Sequence, residues 1–160
     1  MFRTLATIAF LSIVSACAGS PKPTMTPLEI QALQTREFET TKEVAFSSVM
    51  SVFQDLGYTV ESADKDTGFI TAFSASDTHR DWLLTGNQYT TQTRATAFVE
   101  RITPETATPQ VSRVRLNFLT GTEASAWYGQ KSKQDRQILD HVVYQTAFEK
   151  IENAIFVRAE

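Results

Sequence analysis

The single cysteine of this 160-residue chain, Cys17, stands directly behind a short apolar run, Leu5–Val14, and directly ahead of a stretch that cannot continue a helix. That boundary decides which part of the chain is free to build a core. The run has a basic head at Arg3 and ends on the small or β-branched residues Val14, Ser15 and Ala16, the layout of a secretory signal with its cleavage site. Its roughly ten apolar residues are too few to cross a bilayer, which takes about twenty. The residues after Cys17 (Ala-Gly-Ser-Pro-Lys-Pro-Thr) are small, polar and proline-bearing, so they predict an extended tether of about 3 Å per residue. The chain divides accordingly into a signal peptide (1–16), a tether (17–33) and one domain (34–160).

The segment Leu11-Ser-Ile-Val-Ser-Ala-Cys17 resembles the lipobox of bacterial lipoproteins, with Val14 where Leu is commoner. The resemblance implies that Cys17 receives the diacylglyceryl group and that the membrane is a partner through this anchor. Because Ala18, not Asp, follows the cysteine, it also implies the periplasmic face of the outer membrane rather than the inner membrane. One acyl chain holds a protein only marginally, whereas several hold it firmly at about 0.8 kcal/mol per buried methylene. An acylated Cys17 leaves no thiol for a disulfide, a nucleophile or a thiolate metal site, so packing alone must stabilise the domain.

Without residues 1–16 the chain carries 14 basic against 18 acidic residues, a formal charge of −4. That mild acidity excludes a nucleic-acid binder, which needs a basic surface. About 140 residues with ample Val, Ile, Leu and Phe suffice for one core.

Hydrophobic periodicity then assigns elements. Thr35–Thr40 is a short strand candidate around Phe38. Thr40 and Glu43 stand at capping-box spacing, and Ala45, Val49, Val52, Phe53 and Leu56 share one helical face before Gly57 ends the helix. Tyr58–Ser62 and Phe69–Ser74 predict a hairpin around Asp64, Asp66 and Gly68. Residues 75–93 and Gly121–Lys131 read as long loops. Arg94–Ile102 and Val111–Thr120 read as strands joined through Thr103–Pro109. Ser132 and Asp135 suggest a cap for a terminal helix on which Leu139, Val143, Ala147, Ile151 and Ile155 recur every four residues, joined by Ile138, Val142, Phe148 and Ala154.

The order β-α-β-β-β-β-α implies an α+β two-layer sandwich, with an antiparallel four- to five-stranded sheet and two helices on one face. If Ile70, Ala72, Ala95, Ala97 and Val99 face the helices, alternation sends Phe69, Phe73 and Phe98 to the other face beside Arg113 and Arg115.

No Gly-x-Ser-x-Gly elbow, phosphate-binding glycine loop or His-Glu-x-x-His occurs, so no catalytic residue is assigned and the chain is expected to be no enzyme, with no cofactor and no bound metal. The alternative is a metal-dependent or hydrolytic enzyme using the loop residues Asp77, His79 and Asp81, whose side chains could converge on a hard or borderline metal ion, although in a loop that spacing fixes nothing. His141 reads as the edge of the helix's packed face. Asp64–Gly68 lacks the spacing of a calcium loop and reads as a turn. The better candidates are aromatics outside regular structure, Trp82, Tyr89, Trp127 and Tyr128, together with Arg113 and Arg115, as a surface for an envelope protein or for peptidoglycan.

Gln34-Thr35-Arg36-x-Phe38, Val52-Phe53-Gln54-Asp55-Leu56-Gly57-Tyr58, Ala63-Asp64, Gly68-Phe69-Ile70-Thr71-Ala72 and Tyr144-Gln145-x-x-Phe148-x-Lys150-Ile151, with the closing Ala154-Ile155-Phe156, resemble a family of uncharacterised Gram-negative outer-membrane lipoproteins. The resemblance covers most of the chain after Cys17. It implies a fold and an address but no activity and no binding residue.

Overall fold

Two long antiparallel strands, β5 (Asn87–Arg101) and β6 (Ser112–Ser125), form the spine of the sheet, paired from Gln88 opposite Ser125 to Arg101 opposite Ser112. The computed structural model describes residues 25–81, 87–126 and 128–159. Around the spine the chain runs α1 (Pro27–Gln34), β1 (Thr35–Phe38), α2 (Lys42–Asp55), β2 (Tyr58–Asp64), β3 (Phe69–Ser74) and β4 (Asp77–Asp81) before it, then β7 (Lys131–Gln137) and α3 (His141–Ala159) after it. The result is an α+β fold with one open, antiparallel, seven-stranded sheet.

The sheet has two halves. In the first, the order is β1-β6-β5-β3-β2. In the second, β4 continues along β5 beyond β3, and β7 continues along β6 beyond β1, giving a four-stranded extension. The join beside β5 is held by Ser74, whose Oγ accepts the Thr93 amide at 2.9 Å and whose carbonyl accepts the Gln92 amide group at 3.1 Å.

Only the first half is covered. Ile70, Ala72, Ala95, Ala97, Val99, Val114, Leu116 and Phe118 are buried on one face against Ala45, Val49, Val52 and Phe53 of α2 and Tyr144, Ala147, Phe148 and Ile151 of α3. The alanines let the helices approach the strands, and Phe118 fills the space between, meeting Phe53 at 6.4 Å and Tyr144 at 5.2 Å between ring centroids. Each such buried aromatic contributes about 1.5–3 kcal/mol of transfer free energy. By contrast β4 and β7 bury no residue at all.

Several expectations are corrected. Residues 27–33 are not tether but most of α1, started by a capping box in which the Thr26 hydroxyl accepts the Glu29 amide and the Glu29 carboxylate accepts the Thr26 amide. The cap of α2 is Thr41, one residue later than expected, accepting the Val44 amide at 3.2 Å. The expected loops at 75–93 and 121–131 hold β4, the first part of β5 and the last part of β6. Ser132 and Asp135 lie in β7, where pairing with β6 wins over the capping pattern; Asp140 caps α3 instead, accepting the Val142 amide at 2.8 Å. Val142, expected to pack, is 67% exposed, while Tyr144, not assigned to the core, is buried. Among the described residues the sheet thus has seven strands rather than four or five, and there are three helices rather than two.

Candidate functional site

Alternation along β3, β5 and β6 puts three same-face rows of side chains on the side of the sheet away from α2 and α3. Cross-strand register places Phe69, Phe98 and Arg115 in the first row, Thr71, Thr96 and Asn117 in the second, and Phe73, Arg94 and Leu119 in the third. The expected aromatic and basic face is therefore present. Phe69 is 57% exposed and stacks on Phe98 at 4.7 Å between centroids, tilted by 36°. A groove of about 330 Å³ opens between this pair and the amide side chains of Gln34, Asn117 and Gln137.

Those amides form a cluster. Asn117 Oδ1 accepts from Gln34 Nε2 at 3.2 Å and from Gln137 Nε2 at 3.0 Å, so one oxygen ties the end of α1 and the end of β7 to β6. The Asn117 oxygen is thereby engaged twice, and its side chain lines the groove.

The two arginines named from sequence differ in state. Arg113 donates to Glu37 at 2.8 Å and to Glu100 at 3.1 Å, and these two carboxylates, Glu37 first, raise its guanidinium above the ordinary value. Arg113 is an internal tie between β1, β6 and β5. Arg115 is exposed and has no ion pair among the described residues. Sequence reasoning missed Arg94, whose guanidinium lies 5.2 Å over the Phe73 ring and whose Nε is buried with no hydrogen-bond partner among the described residues. The signal was available in Arg94, Thr96 and Phe98 alternating with Ala95 and Ala97.

The aromatics named from sequence do not join this face. Tyr89 lies in β5 rather than a loop, opposite Ala124, and by alternation points to the same side as Ala95 and Ala97. Tyr128 is 67% exposed in the tight turn between β6 and β7, where Gly129 has φ +88° and the Gly129 amide donates to the Ala126 carbonyl at 2.9 Å. Trp82 and Trp127 lie outside the described residues, as does Cys17. The strand ends Asp81 and Asn87 and the turn after Ser125 do share one end of the sheet extension.

Asp77, His79 and Asp81 occupy alternate positions of β4, opposite Thr91, Tyr89 and Asn87, so a strand holds them about 6.6 Å apart per step. No group of three metal-ligating side chains converges among the described residues. His141 opens α3, exposed, and lines a groove with Tyr144 and Phe148 at the edge of the packed face. The turn after β2 is the expected one: the Thr67 hydroxyl and the amides of Asp66 and Thr67, at 2.9 and 3.4 Å from Asp64 Oδ1, hold the Asp64 carboxyl below its ordinary value. Glu29, Glu43 and Tyr58 are also shifted, the first two downward by hydrogen bonds at helix starts and the third upward by burial. None of these shifted groups lines the groove. Chemically the groove offers aromatic surface, amide donors and a guanidinium, which is recognition chemistry. No helix among the described residues is long and apolar enough to cross a membrane.

No protein-family model matches the chain, and no curated protein matches it.

Proposed function

We propose that this chain is a lipid-anchored envelope lipoprotein, held by Cys17 at the periplasmic face of the outer membrane and serving as a non-catalytic binding or assembly module. The anchor rests on the lipobox-like Val14-Ser15-Ala16-Cys17 and on the polar residues that follow it. The binding role rests on one observation: among the described residues no second layer covers the sheet face opposite the helices, which carries the stacked Phe69–Phe98 pair beside an arginine without an ion pair. Sheets usually bury such a face against a second layer. The partner is an envelope protein, with peptidoglycan as the competing ligand.

Two measurements test the two halves. Wild type should incorporate labelled fatty acid and fractionate with membranes, and Cys17→Ala should do neither; membrane fractionation of Cys17→Ala without labelling of wild type ends the anchor reading. Cross-linking in native membranes should join wild type to a defined partner, and Phe69→Ser with Arg115→Gln should reduce that product at least fivefold. Unchanged cross-linking with both substitutions moves the binding surface elsewhere, and Trp82→Ala and Trp127→Ala then test the two tryptophans named from sequence.

A further inference from the structure

We infer that the uncovered face takes an extended, acidic peptide segment of a protein partner, with two carboxylates four residues apart. This rests on the binding-module reading above and specifies its ligand. The first and third rows each place an aromatic side chain beside a guanidinium. Arg115 stands opposite Phe98, and Arg94 opposite Phe73 and over its ring. Neither has an ion pair among the described residues, whereas neighbouring Arg113 has two. In a chain of net acidic charge, two guanidinium groups without an ion pair on one face are a charge pattern that an anionic partner completes, with Asp135 and Glu123, which line the pocket beside Arg94, lying beyond ion-pair distance.

Register fixes the spacing. Arg94 and Phe98 lie four residues apart on β5, and Arg115 faces Phe98, so the two cations are separated by about 13 Å along the strands. An extended peptide has the same rise per residue, so carboxylates at i and i+4 on its lower side reach both guanidinium groups at once. The floor between them is not apolar. Thr71 and Asn117 supply a hydroxyl and a side-chain amide suited to an extended backbone, the Thr96 hydroxyl being donated to the Asn117 carbonyl at 3.5 Å, and the exposed Phe69 ring gives an apolar side chain at the end of the segment a flat surface.

The test uses the purified full chain and capped peptides, so it is independent of the anchor and of cellular cross-linking. The probe is Gly-Glu-Thr-Ser-Thr-Glu-Thr-Phe-Gly, with its Gln-for-Glu counterpart and an isomer bearing adjacent glutamates as controls. Calorimetric titration should show saturable binding of the probe, at least tenfold weaker binding of the Gln peptide, at least threefold weaker binding of the isomer, and weakening with salt. Arg94→Gln with Arg115→Gln should abolish the preference for Glu over Gln while leaving the thermal midpoint within about 2 °C. No saturable binding up to millimolar probe, or equal binding of the Glu and Gln peptides, overturns the proposal. Saturable binding of a soluble muropeptide that both arginine substitutions abolish, with none of the probe, also overturns it and assigns the face to glycan.

Discussion

Tyr144 and Phe118 are joined twice: their rings meet edge to face at 5.2 Å, and the Tyr144 hydroxyl accepts the Phe118 amide at 3.4 Å. The same hydroxyl donates to the Ile138 carbonyl at 3.1 Å and receives Gln34 Nε2 at 3.5 Å. One oxygen from α3 therefore joins β6, the segment entering α3 and the end of α1, at the point on β6 where β1 has ended and β7 has not yet reached.

Tyr144→Phe keeps the ring contact and removes that oxygen. It leaves buried polar groups of Gln34 and Phe118 with fewer partners, which should cost about 1–3 kcal/mol. Urea unfolding checks this: the midpoint should fall while the slope stays constant. An unchanged midpoint would show that water replaces the hydroxyl at no cost.

Gly68 and Gly57 both adopt positive φ, +84° and +83°, but only one is crowded. A Cβ on Gly68 would collide with the Val99 carbonyl oxygen, and the Gly68 carbonyl itself accepts the Val99 amide at 2.9 Å. Around Gly57 there is nothing within 4 Å. Gly57→Ala should therefore cost only the left-handed backbone penalty, about 1–2 kcal/mol. Gly68→Ala adds a collision with backbone that cannot move without breaking the β3–β5 pairing, and should lower the thermal midpoint distinctly more. Equal midpoints for the two variants would refute the close approach.

Asp64 gives a pH dependence of defined sign. The Thr67 hydroxyl and the amides of Asp66 and Thr67 favour the carboxylate, so its folded-state pKa lies below the ordinary aspartate value. The stabilisation is then fully present above that ordinary value and is lost as pH falls through the depressed one. Asn at position 64 keeps an accepting oxygen but not the charge. The gap in thermal midpoint between wild type and Asp64→Asn should be largest near neutral pH and shrink on acidification below about pH 4. A gap that stays constant or widens in acid contradicts the assignment.

The elements that bury an apolar stripe were legible in the sequence, and those that bury nothing were not. The Ala45, Val49, Val52, Phe53 stripe and the Ala147, Ile151, Ile155 repeat gave α2 and α3, and the alternation Val114, Leu116, Phe118 gave β6 its inner face. In α1 the one buried residue is Gln34, so no apolar period exists; only Thr26, Pro27 and Glu29 mark its start. In β7, Lys-Ser-Lys-Gln-Asp-Arg-Gln has no apolar residue, and pairing with β6 alone makes it a strand. At the candidate site, alternation placed Phe69, Phe73 and Phe98 correctly. It could not show that Glu37 and Glu100 converge on Arg113, since Glu37 reaches it only through the pairing of β1 with β6. The same blindness to all-polar strands put Tyr89 in a loop.

That division predicts how stability is distributed along two continuous strands. β5 and β6 each begin in one half of the sheet and end in the other: Ala95, Ala97 and Val99 are buried, as are Val114, Leu116 and Phe118, whereas residues 87–93 and 119–125 include none that is. Flanking the extension, β4 and β7 are polar edge strands, and lysines such as Lys131 and Lys133 oppose pairing with another sheet. Cross-strand hydrogen bonds hold the extension together without an apolar face, and such regions open well below the global unfolding free energy. Amide hydrogen exchange should therefore be slow at Ala95–Val99 and Val114–Phe118. It should be at least a hundredfold faster at Thr90–Gln92 and Thr122–Ala124, although the ladder between β5 and β6 is unbroken. Mild denaturant should speed exchange at the first set and leave the second nearly unchanged, because local opening exposes little new surface. Uniform protection along both strands would mean that the extension shares in the core, by contacts that burial does not account for.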